Sequence, residues 1–453
     1  MCISGYPIII MSPQTPDSKP TNYRWVICAL LFWVTTANYI DRGVLSNLSP
    51  EMGGRLHIEQ KTWDAAYWNM NVVFQGAYAI SLLFMGRLMD VLGLRWGFVL
   101  ACAFWGTASA LHAIAPEIGA LFGSTVAGFF VCRILLGLGE GGNFPGAIKT
   151  VAEWFPKRDR ALATGLFNCG SNVGSILVPR VLPWVLAFNV GSFALGWRGA
   201  FILTATIDLL WIVAWLTFYK KPEDHPKVNK QELALIRGEA VEPTVKIPWS
   251  RLFPHRQTWA VAVAKGMTDC FFWFYLFSTP DLFNKKFHLD PDGRKYLIML
   301  IYVVASVGSI AGGWLPGALM KRGWTTNKAR KITLLICAVC VMPVVFAAMT
   351  DHKWLAAVLI TVAASAHQAW AANSFSLAGD MFPKRVVGSV IGFAGMAGAL
   401  GGMTLFFITG IVVKNTGGYL PIFAMASMAY PMSLFIVHIL VPKLELAQVE
   451  ATV

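Results

Sequence analysis

The stretch Arg133-Ile-Leu-Leu-Gly137-Leu-Gly139-Glu140-Gly141-Gly142-Asn143-Phe-Pro145 decides how this chain is interpreted. It places an arginine and a glutamate seven residues apart in a long apolar, glycine-rich run that ends in a basic turn, Glu153-Trp-Phe-Pro156-Lys157-Arg158. On a helix this spacing puts both side chains on one face, roughly 10 Å apart along the axis. Charged side chains inside an apolar span are costly and usually mark a functional site.

The composition is that of a membrane protein. Of 453 residues, 56% are hydrophobic and only 13% are charged, whereas a soluble domain carries about 25% charged residues. Apolar runs long enough to cross a bilayer recur along the whole chain. We therefore predict an all-α polytopic membrane protein with about twelve transmembrane helices. The predicted spans lie near residues 24–47, 65–86, 95–115, 121–149, 161–187, 197–219, 257–283, 296–320, 331–350, 353–378, 386–413 and 417–442.

The net charge of +13 is explained by topology. With the N-terminus inside, most of the 37 Lys and Arg residues fall in cytoplasmic segments, as the positive-inside rule requires. We expect both termini to be cytoplasmic, a lipid bilayer as the surroundings, and no nucleic-acid partner. The predicted divisions are a tail (1–23), a six-helix bundle (24–219), a cytoplasmic linker (220–256), a second bundle (257–442) and a tail (443–453).

Cysteine spacing indicates no metal or redox centre. Cys337 and Cys340 have the separation of a metal or redox pair, but they lie mid-span without a nearby His or carboxylate. Membrane packing is the better interpretation of both. We predict no metal and no cofactor.

The two predicted bundles are copies of one unit. An offset of 227 residues places Glu153-Trp-Phe-Pro-Lys-Arg158 on Asp380-Met-Phe-Pro-Lys-Arg385. Agreement of several turns at one offset indicates a parallel duplication, as in many secondary transporters. The same offset gives the pairs Gly86 and Gly313, Arg95 and Arg322, Gly165 and Gly392, Gly174 and Gly401, Glu140 and His367, and Asp41 and Thr268.

A charged turn after the second span carries the first resemblance. In Gly86-x-x-x-Asp90-x-x-Gly93-x-Arg95 the glycines permit close helix approach, and we expect Asp90 and Arg95 to pair across the cytoplasmic gap. The weaker copy, from Gly313 to Arg322, has Gly317 in place of Asp90. With twelve spans and the repeat, this pattern resembles the loop motif of the major facilitator superfamily. That resemblance implies a gating role for Gly86, Asp90, Gly93 and Arg95, and a purely structural turn is the alternative.

A narrower resemblance rests on Arg133-x-x-x-Gly137-x-x-Glu140-Gly141-x-x-x-Pro145, on Asn38-Tyr-x-Asp-Arg42, and on the run from Ala366 to Asn373. These motifs resemble the anion:cation symporter family, in particular its bacterial hexuronate and galactonate transporters, over about residues 20–445. The resemblance implies a proton symporter that imports small sugar-acid anions by alternating access. It also implies a multi-pass protein of the bacterial inner membrane, and we expect it to function as a monomer. Gly395 stands where galactonate-type members are expected to carry a polar residue, so the exact sugar acid stays open.

The charges within the spans suit such a role without any resemblance. A carboxylate substrate needs a cation, and Arg42 and Arg133 are candidates because arginine binds carboxylates through two parallel hydrogen bonds. Proton coupling needs a buried carboxyl group that responds to its neighbours, and Asp41 and Glu140 are the candidates. The alternative is a purely structural ion pair between Arg133 and Glu140.

Recognition of a polyhydroxyl substrate calls for amides, hydroxyls and aromatic rings. Such side chains recur in several spans, although each could equally be a packing contact. The candidates are Tyr39, Tyr78, Asn168, Ser171, Asn172, Trp273, Tyr275, Tyr302, His367, Gln368, Trp370 and Asn373. Lys265 and Asp269, four residues apart, are predicted to form a local ion pair, and Arg180 could extend outward or line an entrance.

Three other functions remain open at this point. The same mechanism could serve an aromatic or dicarboxylic acid. A membrane-embedded enzyme is disfavoured because no nucleophile–base pair, metal cluster or phosphate loop is visible in the sequence. A sensor on a transporter scaffold is disfavoured because both predicted tails are short.

Overall fold

The computed structural model describes residues 19–187, 189–190, 193–194, 196–237, 251–289, 291–416 and 418–448. Most of the predicted N-terminal tail (1–18), part of the linker (238–250) and the last residues of the chain (449–453) lie outside this described part.

The first half consists of helices joined by short turns. They are α1 (Arg24–Arg55), α2 (Gln60–Leu92), α3 (Leu94–Leu111), α4 (Ala115–Ala120), α5 (Thr125–Glu140), α6 (Asn143–Trp154), α7 (Lys157–Ala187) and α8 (Gly196–Phe218). Between α7 and α8, two-residue strands β1 (Asn189–Val190) and β2 (Phe193–Ala194) pair antiparallel.

The linker contributes one short helix, and the second half follows the plan of the first. The linker helix is α9 (Lys230–Arg237). The second half comprises α10 (Arg256–Gly266), α11 (Asp269–Phe287), α12 (Pro291–Lys321), α13 (Thr326–Val341), α14 (Val345–Met349), α15 (Lys353–Met381), α16 (Val387–Thr416) and α17 (Leu420–Leu440).

Ten helical segments of the described residues are long and apolar enough to cross a membrane. Two of the twelve predicted spans do not meet that standard. In α1 the polar residues Asn38, Asp41 and Arg42 lower the hydropathy of an otherwise apolar helix. The seventh span is broken at Met267 and Thr268 into α10 and α11. The first piece is only 11 residues long, and the second, with 19 residues, contains four charged residues: Asp269, Asp281, Lys285 and Lys286.

The outer surface is apolar, as a bilayer requires. Large side chains such as Ile80, Val213 and Phe435 are more than half exposed. A soluble protein rarely leaves so much apolar surface in contact with water, and hydrocarbon is its natural surroundings.

The two halves meet through equivalent contacts. A Cβ atom on Gly86 of α2 would lie 2.4 Å from the carbonyl oxygen of Gly388 of α16. At the repeat-equivalent place, a Cβ on Gly313 of α12 would lie 2.2 Å from the carbonyl oxygen of Ala161 of α7. The two contacts are related by the 227-residue offset found in the sequence. We call the end of the bundle that holds both of them the motif end.

The linker helix is attached to the start of α1. Glu232 of α9 is fully buried and accepts hydrogen bonds from the backbone N–H groups of Tyr23 (3.0 Å) and Arg24 (3.1 Å), from the Thr21 hydroxyl, and from the Arg24 guanidinium (3.1 Å). Burial alone would raise the pKa of Glu232, but these hydrogen bonds outweigh it and hold the pKa below its ordinary value. The carboxylate also complements the positive N-terminal end of α1.

Candidate functional site

A cavity lies between the two halves. It contains about 720 Å³ of atom-free space, including a part open to solvent. Seven of the predicted substrate residues line it: Tyr39, Tyr78, Asn168 and Ser171 from the first half, and Trp273, His367 and Gln368 from the second. Further lining residues include Gln75, Phe144, Phe272, Phe375 and Gly395. A Cβ on Gly395 would lie 3.2 Å from the Leu82 side chain, so little room remains there for a larger group.

Arg42 stands behind the cavity wall and pairs with Glu140. The Arg42 Nε atom donates to a carboxylate oxygen of Glu140, which is fully buried. The guanidinium carbon lies 4.5 Å from the ring centre of Tyr78 and 5.0 Å from that of Tyr39. Two cavity-lining rings therefore separate this ion pair from the cavity. The alternative of an Arg133–Glu140 ion pair is wrong for this conformation, because the described partner of Glu140 is Arg42 from α1, which contacts one of its two carboxylate oxygens.

Arg133 and Asp41 lie near this pair and deeper in the first half. The Nε and Nη2 atoms of Arg133 are buried without a hydrogen-bond partner among the described residues, and its guanidinium carbon lies 5.6 Å from the Phe74 ring centre. Asp41 accepts a hydrogen bond from the Ser109 hydroxyl at 2.6 Å. Neither Arg133 nor Asp41 lines the cavity in this conformation. The spacing of charges in the sequence predicts burial, but it does not reveal which helix supplies each partner.

Side-chain amides bridge the halves at the cavity. Asn168 of α7 donates to the Gln368 side-chain carbonyl of α15 at 2.7 Å, and the Gln368 amide nitrogen lies 3.4 Å from the Asn172 oxygen. A polyhydroxyl ligand in the cavity would compete for these same donors and acceptors. The amides are therefore placed both to hold a ligand and to hold the two halves together.

The second half contributes an ion pair to the cavity wall. The predicted pair is confirmed, with Lys265 Nζ 2.6 Å from Asp269 Oδ2, and both residues line the cavity. The Lys265 ammonium also lies 3.7 Å from the ring centre of Phe375. His367 stacks on Phe272 at 4.8 Å, and its Nδ1 atom lies 2.7 Å from the Tyr430 hydroxyl.

The remaining substrate candidates lie away from the cavity surface. The Trp370 indole donates to the Ala264 carbonyl at 3.0 Å, and the Asn373 amide donates to the Gly312 carbonyl at 2.8 Å. Tyr275 is buried, and Tyr302 is half-buried. In this conformation their described contacts are those of helix packing.

The predicted gating motif joins the halves at the motif end. Asp90 forms an ion pair with Lys149 at 3.1 Å and accepts a hydrogen bond from the Ser389 backbone N–H of α16 at 2.7 Å. The expected Asp90–Arg95 pair is wrong, because Arg95 instead donates to the Leu216 carbonyl at 3.2 Å. Gly93, with a positive φ of 75°, adopts a backbone conformation that glycine favours, and it links α2 to α3.

A second buried charge cluster at the motif end did not emerge as a site from the sequence. Asp380 pairs with Arg330 at 2.8 Å and with Arg160 at 3.6 Å. Arg330 also donates to the Lys157 carbonyl across the halves at 3.0 Å. The 227-residue repeat is the sequence pattern that could have revealed this cluster, because it aligns Asp380 with the charged residue Glu153.

No group of three or more His, Cys, Asp or Glu residues in the described part of the chain is arranged to hold a metal ion. The site is thus a cavity with charges behind its wall, built between two duplicated helical halves. That arrangement defines a membrane transporter.

Comparison with known proteins identifies the family. The family model described as the Major Facilitator Superfamily matches residues 31–406, and this chain belongs to that family. It is a multi-pass membrane transporter and not an enzyme.

Curated relatives and solved structures agree with this assignment. The hexuronate transporter of Escherichia coli (strain K12) is 25% identical over 413 residues, covering 90% of this chain and 91% of the relative. The "Probable galactarate/D-glucarate transporter GudP" of Bacillus subtilis (strain 168) is 26% identical over 417 residues, covering 89% of each chain. Among solved structures, the proton:xylose symporter XylE bound to 6-bromo-6-deoxy-D-glucose is similar in fold, with a TM-score of 0.73 at 15% identity, covering 94% of this chain and 97% of that one.

Proposed function

We propose that the protein is a proton-coupled symporter that imports a hexuronate or related sugar acid by alternating access. The observation that carries this proposal is the cavity between the halves, with amide and hydroxyl groups and aromatic rings on its wall. Amides and hydroxyls match the hydroxyls of a sugar acid, and aromatic rings match its apolar ring face. The names of the relatives, which include hexuronate and galactarate/D-glucarate transporters, support the same substrate class.

Binding of the carboxylate is assigned to the arginines of the first half. Two buried donors of Arg133 have no partner among the described residues, and an incoming carboxylate can satisfy such donors. Arg42 is the second candidate and already holds Glu140. Substrate at either arginine would change the electrostatic surroundings of Glu140 and Asp41, which we assign to proton coupling.

We assign the motif end to the cytoplasmic side of a bacterial inner membrane, with both termini on that side and a monomer as the working unit. The excess of Lys and Arg in those segments supports the orientation. Contacts such as Asp90 with Ser389 close the cytoplasmic side in this conformation. Import requires that they open.

A dicarboxylic sugar acid is the second candidate substrate. The supporting observation is Lys265, a cation on the cavity wall contributed by the other half. A ligand with two carboxylates would engage one cation on each side, whereas a hexuronate has only one carboxylate.

The test is uptake of labelled D-glucuronate into proteoliposomes with and without an inward proton gradient. We expect accumulation only with the gradient, and competition by unlabelled glucarate if the dicarboxylate is preferred. Competition by an aromatic acid alone would contradict the sugar-acid proposal. Uptake that ignores the gradient would contradict proton coupling.

Glu140→Gln tests the coupling residue. The amide mimics a permanently protonated carboxyl group, so we expect substrate binding and exchange to continue while accumulation against a gradient is lost. The measurement compares counterflow with proton-driven uptake in the same vesicles. Proton-driven accumulation by Glu140→Gln would move coupling to Asp41.

A further inference from the structure

A third carboxylate lies inside the first half, on α8. Asp208 is only 1% exposed and stands alone in the apolar run of the sixth span. Gly106 of α3 makes room for it, because a Cβ there would lie 3.1 Å from the Asp208 Cβ and 3.2 Å from its Oδ2 atom. Neither Asp208 nor Asp41 forms an ion pair within the described residues.

The side chains of Asp41 on α1 and Asp208 on α8 approach each other around the Ser109 and Thr204 hydroxyls. Ser109 donates to one Asp41 oxygen and lies 2.9 Å from the Thr204 hydroxyl, one turn before Asp208 on α8. The other Asp41 oxygen and both Asp208 oxygens are buried without a well-formed hydrogen bond from a described donor. On that side Asp41 and Asp208 face each other, and the Trp105 indole N–H lies beside Asp208.

Few charged groups near the pair could stabilise both carboxyl groups in the ionised form. The described titratable groups that face the pair or its immediate neighbours are Arg42, Cys102, His112, Arg133 and Glu140. Arg42 is neutralised by Glu140. Arg133 is the remaining cation, and its Nε and Nη2 atoms contact no described acceptor.

Two carboxylates in contact and away from water do not both stay ionised. We propose that Asp208 and Asp41 share one proton, so that the transporter has a proton site made of a carboxyl pair in addition to Glu140. One carboxyl donates its O–H to the other. Release of the proton leaves two carboxylates, and among the described cations that are not already paired only Arg133 lies near enough to neutralise them.

This pair supplies a reason for symport. If a substrate carboxylate engages Arg133, that cation cannot also neutralise two carboxylates, so the pair retains its proton while the anion is bound. If the anion leaves, Arg133 becomes available and the proton can be released. Proton and anion therefore bind together. This link rests on the proposed function, whereas the shared proton itself does not.

Infrared spectroscopy of the purified full-length protein at neutral pH tests the pair without any substrate. Protonated carboxyl groups have a C=O stretch that ionised ones lack. We expect Asp208→Asn to remove one such band from the difference spectrum, Asp41→Asn to remove the same band, and the double variant to remove no more than either alone. Asp351→Asn, at a side chain that is 95% exposed, is the control and should leave the band unchanged.

Other infrared outcomes overturn the proposal. A band that survives in both single variants, with thermal unfolding like that of the wild type, would show that no proton resides on the pair. Loss of two bands in the double variant would show two separate acids instead of one shared proton. Asn has the size of a neutral Asp, so both variants are expected to fold.

Transport tests the link to coupling. In proteoliposomes supplied with external labelled D-glucuronate and an inward proton gradient, we expect Asp208→Asn to lower proton-driven accumulation by about tenfold, which corresponds to roughly 1.4 kcal/mol, while exchange stays close to wild type. Full proton-driven accumulation by this variant would overturn the link. If the wild type itself shows no proton-driven uptake, the proposed function fails, and the infrared result still decides whether the pair shares a proton.

Discussion

At the scale of single residues, the buried cations of the first half differ in what they hold. Arg42 binds Glu140 through Nε and keeps one buried donor, Nη2, without a partner among the described residues, whereas Arg133 has two such donors, Nε and Nη2, and no ion pair there. A guanidinium binds a carboxylate through two parallel hydrogen bonds, which an ammonium group cannot reproduce. We assign the anion to Arg133 for this reason.

Arg133→Lys is therefore expected to weaken substrate binding by roughly ten- to a hundredfold while the protein still folds and inserts. The measurement is the Kd of D-glucuronate for purified protein, with Arg198→Lys, at an exposed surface ion pair, as the matched control. Near-normal affinity in Arg133→Lys would move the anion site to Arg42.

The sequence alone located most of these charges but not their partners. Arg133 and Glu140 share a helix face, as their spacing predicts, yet the partner of Glu140 comes from α1, about a hundred residues away in the chain. Helical periodicity describes one helix at a time, so it contains no information about which neighbour lies opposite. The sequence does mark Asp208 as a candidate functional residue, because a single carboxylate inside an apolar span meets the same criterion that identified Glu140.

At the scale of helices, Asp90 links α2 to the first turn of α16. Its carboxylate accepts the Ser389 N–H and pairs with Lys149. The second half has Gly317 at the equivalent place, so only one of the two related contacts uses a charge. Opening of the motif end must break this contact.

Asp90→Asn is expected to slow transport by about tenfold with little change in substrate affinity, since Asp90 does not line the cavity. Initial rates of uptake at several substrate concentrations separate the two quantities. A large loss of affinity at an unchanged maximal rate would exclude a gating role.

The attachment of the linker helix to α1 gives a stability prediction. Glu232→Gln removes a charge that accepts several buried hydrogen bonds, so we expect a loss of roughly 1.5–3 kcal/mol, seen as a lower Tm. The lowered pKa of Glu232 means that this stabilisation is present above the ordinary glutamate pKa and is lost as the pH falls through the pKa in the folded protein. The Tm difference between wild type and variant should therefore shrink in acid. Glu223→Gln, at an exposed linker pair, should change little at any pH.

Helix positions were largely predictable from the sequence, and helix breaks were not. Long apolar runs define spans such as α8 and α15 almost to the residue. The break at Met267 and Thr268 directly follows Gly266, the last residue of α10, but glycine also occurs inside unbroken helices such as α5, so glycine alone does not predict the break. It depends on packing against other helices, which a hydropathy pattern does not describe.

At the scale of the whole molecule, the two duplicated halves contact each other through equivalent residues, so their interface has approximate twofold symmetry. Gly86 against Gly388 and Gly313 against Ala161 hold the same end closed. Because both contacts involve backbone atoms, an added methyl group cannot be accommodated by a side-chain rotation. The closed conformation must then lose population.

Gly313→Ala is expected to shift the protein towards opening at the motif end. Spin labels at Arg158 and Lys321 in a cysteine-depleted background report the separation of the halves, which should lengthen in the variant. Gly402→Ala is the matched control, since a Cβ there meets no atom within 4 Å. An unchanged distance distribution in Gly313→Ala would show that this contact does not hold the end closed.

The break in the seventh span has a further electrostatic consequence. Lys265 lies in the last turn of α10, and Asp269 begins α11. The C-terminal end of a helix carries partial negative charge and the N-terminal end partial positive charge, so each side chain sits at the helix end that favours its sign. If a ligand carboxylate displaced Asp269 from Lys265, both separated charges would remain stabilised by their own helix ends. The ion pair on the cavity wall can thus exchange one partner for another at a lower cost than a pair in the middle of a continuous helix.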